Sequence, residues 1–521
     1  MNRCRTHLAS RILQIFSPCA AATSIEFAHE RFCPVCHLLR SVFFPGSGLF
    51  KSHSPAFPPA ESWIALSTNG FKFANPKFTA DNFVTYSAQQ IDADASIPES
   101  EEIQVLEPIP KPRVSPPVMS LADVLSQATV NAIAATGQLV IHCVGDTGGI
   151  ERAEPQLAVA DAMTADALGK TWANGQPAFF YHLGDVVYFF GQETYYPEQF
   201  YEPYRNYPGP IFAIPGNHDG FMFEGEPAGY SCEAFVNNFC TPAPVQAAPG
   251  FDRTTLTEPG VYFTLDAPFV RIIGLYSNAG ETAGSLGNST IGTDQLTFLT
   301  SELTRYASDR KADKNNKNPQ ALVIAVHHPP FTGSSQHMPS AAMLKTMDTC
   351  CTQAGVWPDM VLSGHSHVYE RYTRIMKSDG RQIPYVVSGN GGYYDLSGLK
   401  TNQQGKKPVA GQQQESDGAG NTITLDSYSD TQFGFLRITF TASSIVVESI
   451  AVNTATRPDT TVPPTTSGID SFTLSLANHT VVNGVSSSSR ASGAASGTRS
   501  LPGKRAKKPP ASRPGKARRG K

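Results

Sequence analysis

No stretch of about 18 consecutive apolar residues occurs in the 521-residue chain, so no segment reads as a membrane-spanning helix. The nine cysteines are odd in number and share no repeated spacing, which argues against a disulfide scaffold. Cys232 and Cys240 are spaced so that they could bridge in an oxidising compartment, whereas the neighbours Cys350 and Cys351 read as buried and inert. Acid is missing from the last segment: residues 499–521 carry ten Lys/Arg and no Asp/Glu. The whole chain sums to −3, so setting those ten aside leaves residues 1–498 at −13. The body is therefore acidic and no specific nucleic-acid surface is expected. The basic tail, interleaved with Pro and Gly and lacking aromatics, is left to bind polyanions nonspecifically.

What is present is enough apolar residue, 40%, for a large core. The N-terminal 117 residues contribute little to it and read as an extension, largely irregular. Met1 to Ser24 carries Arg3, Arg5 and Arg11, but its apolar patch at residues 12–16 is short and broken by Ser17-Pro18. That makes a poor secretory signal and leaves the compartment open. Cys33-Pro34-Val35-Cys36-His37 matches the attachment pattern of a c-type haem. Its surroundings do not, because residues 44–117 are rich in Pro, Ser and Ala, and the next methionine is Met119. Neither haem nor zinc is assigned there.

From residue 118 the pattern changes to one of buried strands alternating with helices, an α/β arrangement. Ser120 reads as the N-cap of a helix running through Leu121, Val124, Leu125 and Val130. Apolar runs at 139–144, 178–183, 211–214, 270–275, 322–326, 360–363 and 385–387 read as strands, and Thr293 caps a helix with Leu296, Leu299 and Leu303 on one face. Strands at 435–440 and 445–450 close the domain at about residue 455. Residues 456–521 read as a low-complexity, disordered tail, with an apolar patch at 472–476 that leaves room for one short strand.

The polar clusters fall where the runs end, the usual ligand position in α/β folds. They are Gly145-Asp146-Thr147-Gly148-Gly149, Gly184-Asp185-Val186-Val187-Tyr188, Pro215-Gly216-Asn217-His218-Asp219, His327-His328-Pro329-Pro330 and Ser363-Gly364-His365-Ser366-His367. An extended His-x-His would send its rings to opposite faces, while a loop can turn them to two neighbouring targets, and adjacent metal ions are such a pair. Singly, the Gly-Asp clusters are also common turns, and His327-His328 could be a satisfied pair at a strand end.

In this order the clusters resemble the calcineurin-like metallophosphoesterases, and more closely their purple acid phosphatase branch, over roughly residues 138–395. The resemblance implies a four-layer fold, a two-sheet β-sandwich flanked by helices, with a dinuclear metal site between strand ends. It makes Asp146, Asp185, Tyr188 and His367 the ligands of one ion, and Asn217, His327, His365 and the shared Asp185 those of the other. Many relatives have His two residues after the first Asp; here that residue is Gly148, and Tyr188 supplies the replacement donor. Three anionic donors favour Fe³⁺ in the first site, and an amide with two imidazoles suits a divalent Fe, Zn or Mn in the second.

The implied activity is hydrolysis of a small phosphoric monoester by in-line attack of a metal-activated hydroxide, in the manner of an acid phosphatase. His218 and His337 would contact the phosphate and protonate the leaving group. A phosphodiesterase or nucleotide hydrolase on the same site is the alternative, and a non-catalytic phosphate- or surface-binding protein is a further one. The same resemblance points to a secreted or periplasmic setting. His328 reads as a pocket residue, Glu370 and Arg371 as a structural pair behind the site, and His142 and His182 as core histidines. The aromatic stretch from Tyr195 to Tyr207 reads as helix-face packing.

Overall fold

A computed structural model of the chain describes residues 108–484, apart from 150–151, 189–190, 221–230, 248–250, 278–283, 289–290, 316–318 and 456–460. The N-terminal signal-like segment, the Cys33–His37 motif and the basic tail lie outside the described residues.

The described residues form two sheets. The first has nine strands: β1 (Val118–Ser120), β5 (Phe263–Ala267), β6 (Val270–Leu275), β7 (Ala321–Val326), β8 (Met360–Ser363), β9 (Tyr369–Ile375), β10 (Gln382–Ser388), β11 (Gln412–Ser416) and β12 (Thr422–Ser429). Their spatial order is β1-β5-β6-β7-β8-β10-β9-β12-β11. The second has seven: β2 (Gln138–Val144), β3 (Pro177–His182), β4 (Ile211–Ala213), β13 (Gly434–Thr441), β14 (Ser444–Val452), β15 (Thr466–Ser475) and β16 (Thr480–Asn483), ordered β16-β15-β14-β13-β2-β3-β4. Strands β6, β7, β8 and β10 run parallel in the first sheet, as do β2, β3 and β4 in the second. β7 is buried at every residue, which is why its sequence is an unbroken apolar run. Each fully buried aliphatic side chain there contributes about 1.5–3 kcal/mol relative to exposure.

Helices cover the sheets. α1 (Gln127–Ala135) and α2 (Glu154–Ala167) pack on the second sheet, while α4 (Asp294–Ala312) packs on β6 of the first and against α5 (Ala341–Ala354). In α4 the buried residues Gln295, Phe298, Leu299, Glu302, Leu303 and Tyr306 follow the three-to-four spacing of one helix face. α5 stops at Gly355, whose φ of 69° is the left-handed conformation that glycine adopts without a Cβ penalty. The short α3 (Glu233–Phe239) lies after β4. The result is a mixed α/β molecule of two sheets flanked by helices. Among the described residues, no helix is long and apolar enough to cross a membrane.

Five expectations need correction, the last only in part. The helix capped by Ser120 is two elements: a 3₁₀ turn at Leu121–Asp123, closed by reciprocal Ser120–Asp123 bonds, then α1 with Ser126 as its own cap. The second sheet does not end near 455. β15 pairs with β14 along its length, and β16 follows, because Phe472 and Leu474 bury completely under the sheet. Cys232 and Cys240 are free thiols. They cap opposite ends of α3, and eight helical steps of 1.5 Å hold their Cα atoms about 12 Å apart, beyond disulfide reach. Glu370 and Arg371 do not pair, since consecutive strand residues face opposite sides. Glu370 binds Thr332 and Gly333, whereas Arg371 binds Asp426 and Asp470. The aromatic stretch does pack inward, with Tyr196, Phe200, Tyr201, Tyr204 and Tyr207 buried, but on 3₁₀ and π turns rather than an α-helix.

Candidate metal centre

Because β2, β3 and β4 end at the same side of the molecule as β7 and β8, their following loops converge. The second sheet brings Asp146 after β2, Asp185 and Tyr188 after β3, and Asn217 and His218 after β4. The first brings His327 directly after β7, and His365 and His367 after β8. Sequence separations as large as 219 residues close to hydrogen-bond distance: the backbone N–H of His365 donates to both Asp146 oxygens, at 2.9 and 3.0 Å.

The donor atoms form two groups that share one oxygen. Tyr188 Oη lies 3.4 Å from Asp146 Oδ1, 3.1 Å from Asp185 Oδ2 and 3.3 Å from His367 Nε2. On the other side Asp185 Oδ2 is 3.2 Å from His327 Nε2, which is 3.1 Å from Asn217 Oδ1, itself 3.0 Å from His365 Nδ1. The ligand atoms of Asp185, His327 and His365 all lie within 4.8 Å of one another, and all three residues are buried. Bonds of about 2.0–2.2 Å to one ion would put neighbouring donors roughly 3.0–3.5 Å apart, so the spacing fits a cation in each group.

Electrostatics agree. Burial and the adjacent Asp185 carboxylate push the Asp146 carboxyl well above its ordinary range. Burial, with both carboxylates beside it, does the same to the Tyr188 phenol. Packing these two groups against the Asp185 carboxylate, which His327 and His218 keep ionised against its burial, disfavours their anions unless a cation sits among them. Burial and the neighbouring imidazoles hold His365 and His367 well below 6.5, which keeps them in the neutral form that ligates. The Nδ1 of His327 donates to the Leu183 carbonyl at 2.8 Å, which turns its Nε2 toward Asp185.

Backbone strain marks the same residues. Asp146, Asp185 and His365 have φ of 56°, 54° and 67°, a region that side chains with a Cβ seldom occupy. A Cβ added at Gly216 would lie 2.0 Å from Asp185 Oδ1, so only glycine lets that loop pass the carboxylate. Gly148 has a different reason: its Cβ would meet Tyr188 Cδ2 at 2.5 Å and Gln199 Oε1 at 2.6 Å. The room that a side chain at 148 would need is occupied by the tyrosine.

Both candidate proton-handling histidines reach the cluster. The His337 ring centroid is 4.3 Å from that of His365 and 5.3 Å from that of His367. The His218 ring is 4.4 Å from the Tyr188 ring, and the backbone N–H of His218 donates to Asp185 Oδ1 at 3.0 Å. His328 bonds Ser277 Oγ at 2.8 Å behind His365. His142 and His182 have both ring nitrogens bonded, as core residues should.

Sequence reasoning gave no part to Gln199, Asp219 or Tyr393. Asp219 at least stands in the Gly-Asn-His-Asp cluster, while Gln199 carries no local signal. Tyr393 lies over the site, its ring 4.4 Å from Tyr188 and 4.3 Å from His367. Glu370 fastens the 332–333 segment from which His337 follows.

The chain is similar to several known proteins. Residues 139–369 match the family model of the calcineurin-like phosphoesterases. The chain is 29% identical over 158 residues to probable purple acid phosphatase 20 of Arabidopsis thaliana, covering 29% of this chain and 32% of that protein. It is 25% identical over 245 residues to purple acid phosphatase 23 of the same plant, covering 45% and 46%. The matched region thus spans less than half the length of either relative. Among solved structures, the purple acid phosphatase PPD1 from yellow lupin (Lupinus luteus) aligns with a TM-score of 0.43 at 16% identity, over 65% of this chain and 54% of that one. Over residues 139–369 the chain is thus similar to the calcineurin-like phosphoesterases, and purple acid phosphatases are among the proteins it resembles.

Proposed function

We propose that the chain is a phosphomonoesterase with a dinuclear metal centre. The observation that carries this reading is Asp185 Oδ2, which stands 3.1 Å from Tyr188 Oη on one side and 3.2 Å from His327 Nε2 on the other, as an oxygen shared by two ions would. Asp146, Asp185, Tyr188 and His367 would hold a trivalent iron, because three of the four donors can be anionic. Asn217, Asp185, His327 and His365 would hold a divalent Fe, Zn or Mn. When bound, the pair supplies the positive charge that phosphoryl transfer requires and lowers the pKa of a water. The protein's own part is to fix these donors and to keep bulk water from the buried side. His218 and His337, at the rim, contact the phosphate, and His337 keeps a proton for the departing alkoxide. Substrates would be small phosphoric monoesters; the names of the relatives support phosphatase chemistry in general.

The test sets p-nitrophenyl phosphate against bis(p-nitrophenyl) phosphate, with metal content measured on the same sample. Faster turnover of the monoester with two metals per chain is expected. Preference for the diester would move the assignment to a phosphodiesterase, and absence of turnover in metal-replete protein would leave only a binding role.

A further inference from the structure

Tyr188 sits beyond the end of β3, where no ladder partner can take its backbone groups, yet it is fully buried. Both of those groups meet one side chain. The Tyr188 N–H donates to Gln199 Oε1 at 2.9 Å, and Gln199 Nε2 donates to the Tyr188 carbonyl at 2.7 Å. The carboxamide thus does for one residue what a neighbouring strand does for many.

Gln199 is itself held. It is completely buried in the π turn Pro197–Tyr201, a rare backbone form that recurs at functional sites. Its backbone carbonyl accepts from Gln156 Nε2 at 2.5 Å. Gln156 Nε2 also lies 3.5 Å from Thr147 Oγ1, next to Asp146, and Thr147 Oγ1 bonds His182 Nε2 at 2.8 Å. Across the carboxamide, Gly148 leaves the space that the Tyr188 ring and Gln199 share. The chain of contacts runs from one carboxylate loop to the other with Gln199 at its centre.

We infer that Gln199 is the positioning residue for Tyr188: its carboxamide fixes the peptide of that tyrosine so that Oη enters the donor group of Asp146, Asp185 and His367. Gly148 makes this possible by leaving position 148 empty. The inference rests on the reading of Tyr188 as an iron ligand. It extends that reading by naming what selects the phenol over other donors at this position. Partners of ligands typically contribute 10–100-fold to metal affinity.

The experiment is a double-mutant cycle on iron-loaded full-length protein, with Gln199→Met and Tyr188→Phe made singly and together. Iron loss to a chelator and visible absorbance per bound iron are the two readouts. Gln199→Met is expected to speed iron loss about tenfold and to weaken the tyrosine-to-iron absorption. On the Tyr188→Phe background it should add nothing, because the residue acts only through Tyr188. Equal, additive losses in both backgrounds would show general loosening and overturn the inference, as would unchanged iron retention in Gln199→Met. Should Gln199→Met not fold, Gln199→Glu keeps the acceptor for the Tyr188 N–H and runs through the same cycle. The reading beneath fails in a different way. If Tyr188→Phe alone changes neither absorbance nor iron retention, Tyr188 is not a ligand and both statements fall.

Discussion

The carboxylate of Asp219 accepts the backbone N–H of Val186, with both oxygens at 3.1 Å, and its Oδ2 also takes the N–H of Gly216 at 2.8 Å. One buried side chain thereby ties the loop of Asp185 to the loop of Asn217. Asp219→Ala would leave these donors orphaned, at about 1–3 kcal/mol each. Metal affinity is expected to drop about 10–100-fold while the fold persists, as read by titration with a competing chelator and by circular dichroism. Unchanged affinity would mean that the loops hold their shape without the tie.

Tyr188→Phe keeps the ring contacts with His218 and Tyr393 and removes only the oxygen. The proposed centre would then have one anion fewer, so a trivalent ion would be less favoured and a metal-associated water less acidic. With iron bound as proposed, the expected outcome is loss of the tyrosine-to-iron absorption with a pH optimum moved upward, measured by absorbance and pH–rate profiles. Wild-type protein that is active, colourless and free of iron would defeat the purple acid phosphatase chemistry. The broader metallophosphoesterase reading would survive it.

His337 should matter most where the leaving group needs a proton. General acid catalysis is worth about 10²–10⁴-fold, so His337→Ala should cut alkyl phosphate hydrolysis far more than that of p-nitrophenyl phosphate. Equal losses on the two substrates would reduce the residue to a phosphate contact.

Acid should destabilise the second sheet through a pair remote from the centre. His142 is fully buried, its Nδ1 bonded to Tyr207 Oη at 3.1 Å and its Nε2 to Asp166 at 3.0 Å, with Arg437 and Lys170 also on that carboxylate. Burial holds His142 below its ordinary 6.5. Burial opposes ionisation of Asp166, but His142, Arg437 and Lys170 outweigh it and hold the carboxyl well below the usual range. Both folded-state values lie below the unfolded ones, so the unfolded chain takes up protons first. Stability is complete above about pH 6.5 and falls as pH drops below it, first through His142 and then, from about pH 4, through Asp166. Urea midpoints should therefore decline from pH 7 to pH 4. In His142→Gln they should start lower and fall less steeply over pH 7 to 5; an identical slope would dismiss His142 as the source.

Removing residues 499–521 should leave turnover of a small phosphate ester within about twofold, and should abolish salt-sensitive adherence to polyanions, since a basic run acts through counterion release. A large fall in turnover would show the tail reaching the site.

The sequence by itself determined the strands and the loops that follow them. The apolar runs from Leu139 to Val387 name β2, β3, β4, β6, β7, β8 and β10 because a strand buried on both faces has to be apolar throughout, and the Gly-Asp, Asn-His and His-x-His clusters stand at their ends. Mixed strands were harder to read. β9 mixes charged with aromatic residues, since Arg371 and Arg374 are buried but paired with Asp426, Asp470, Asp348 and Asp417. β15 looked like tail because its polar half pairs along β14, and a partner 20 residues or so distant leaves no mark on local composition. In the same way the Asp219 tie and the Gln199 carboxamide were settled only by tertiary structure. Glutamine and aspartate are ordinary surface residues until folding removes water from them, and only then do their partners decide what they do.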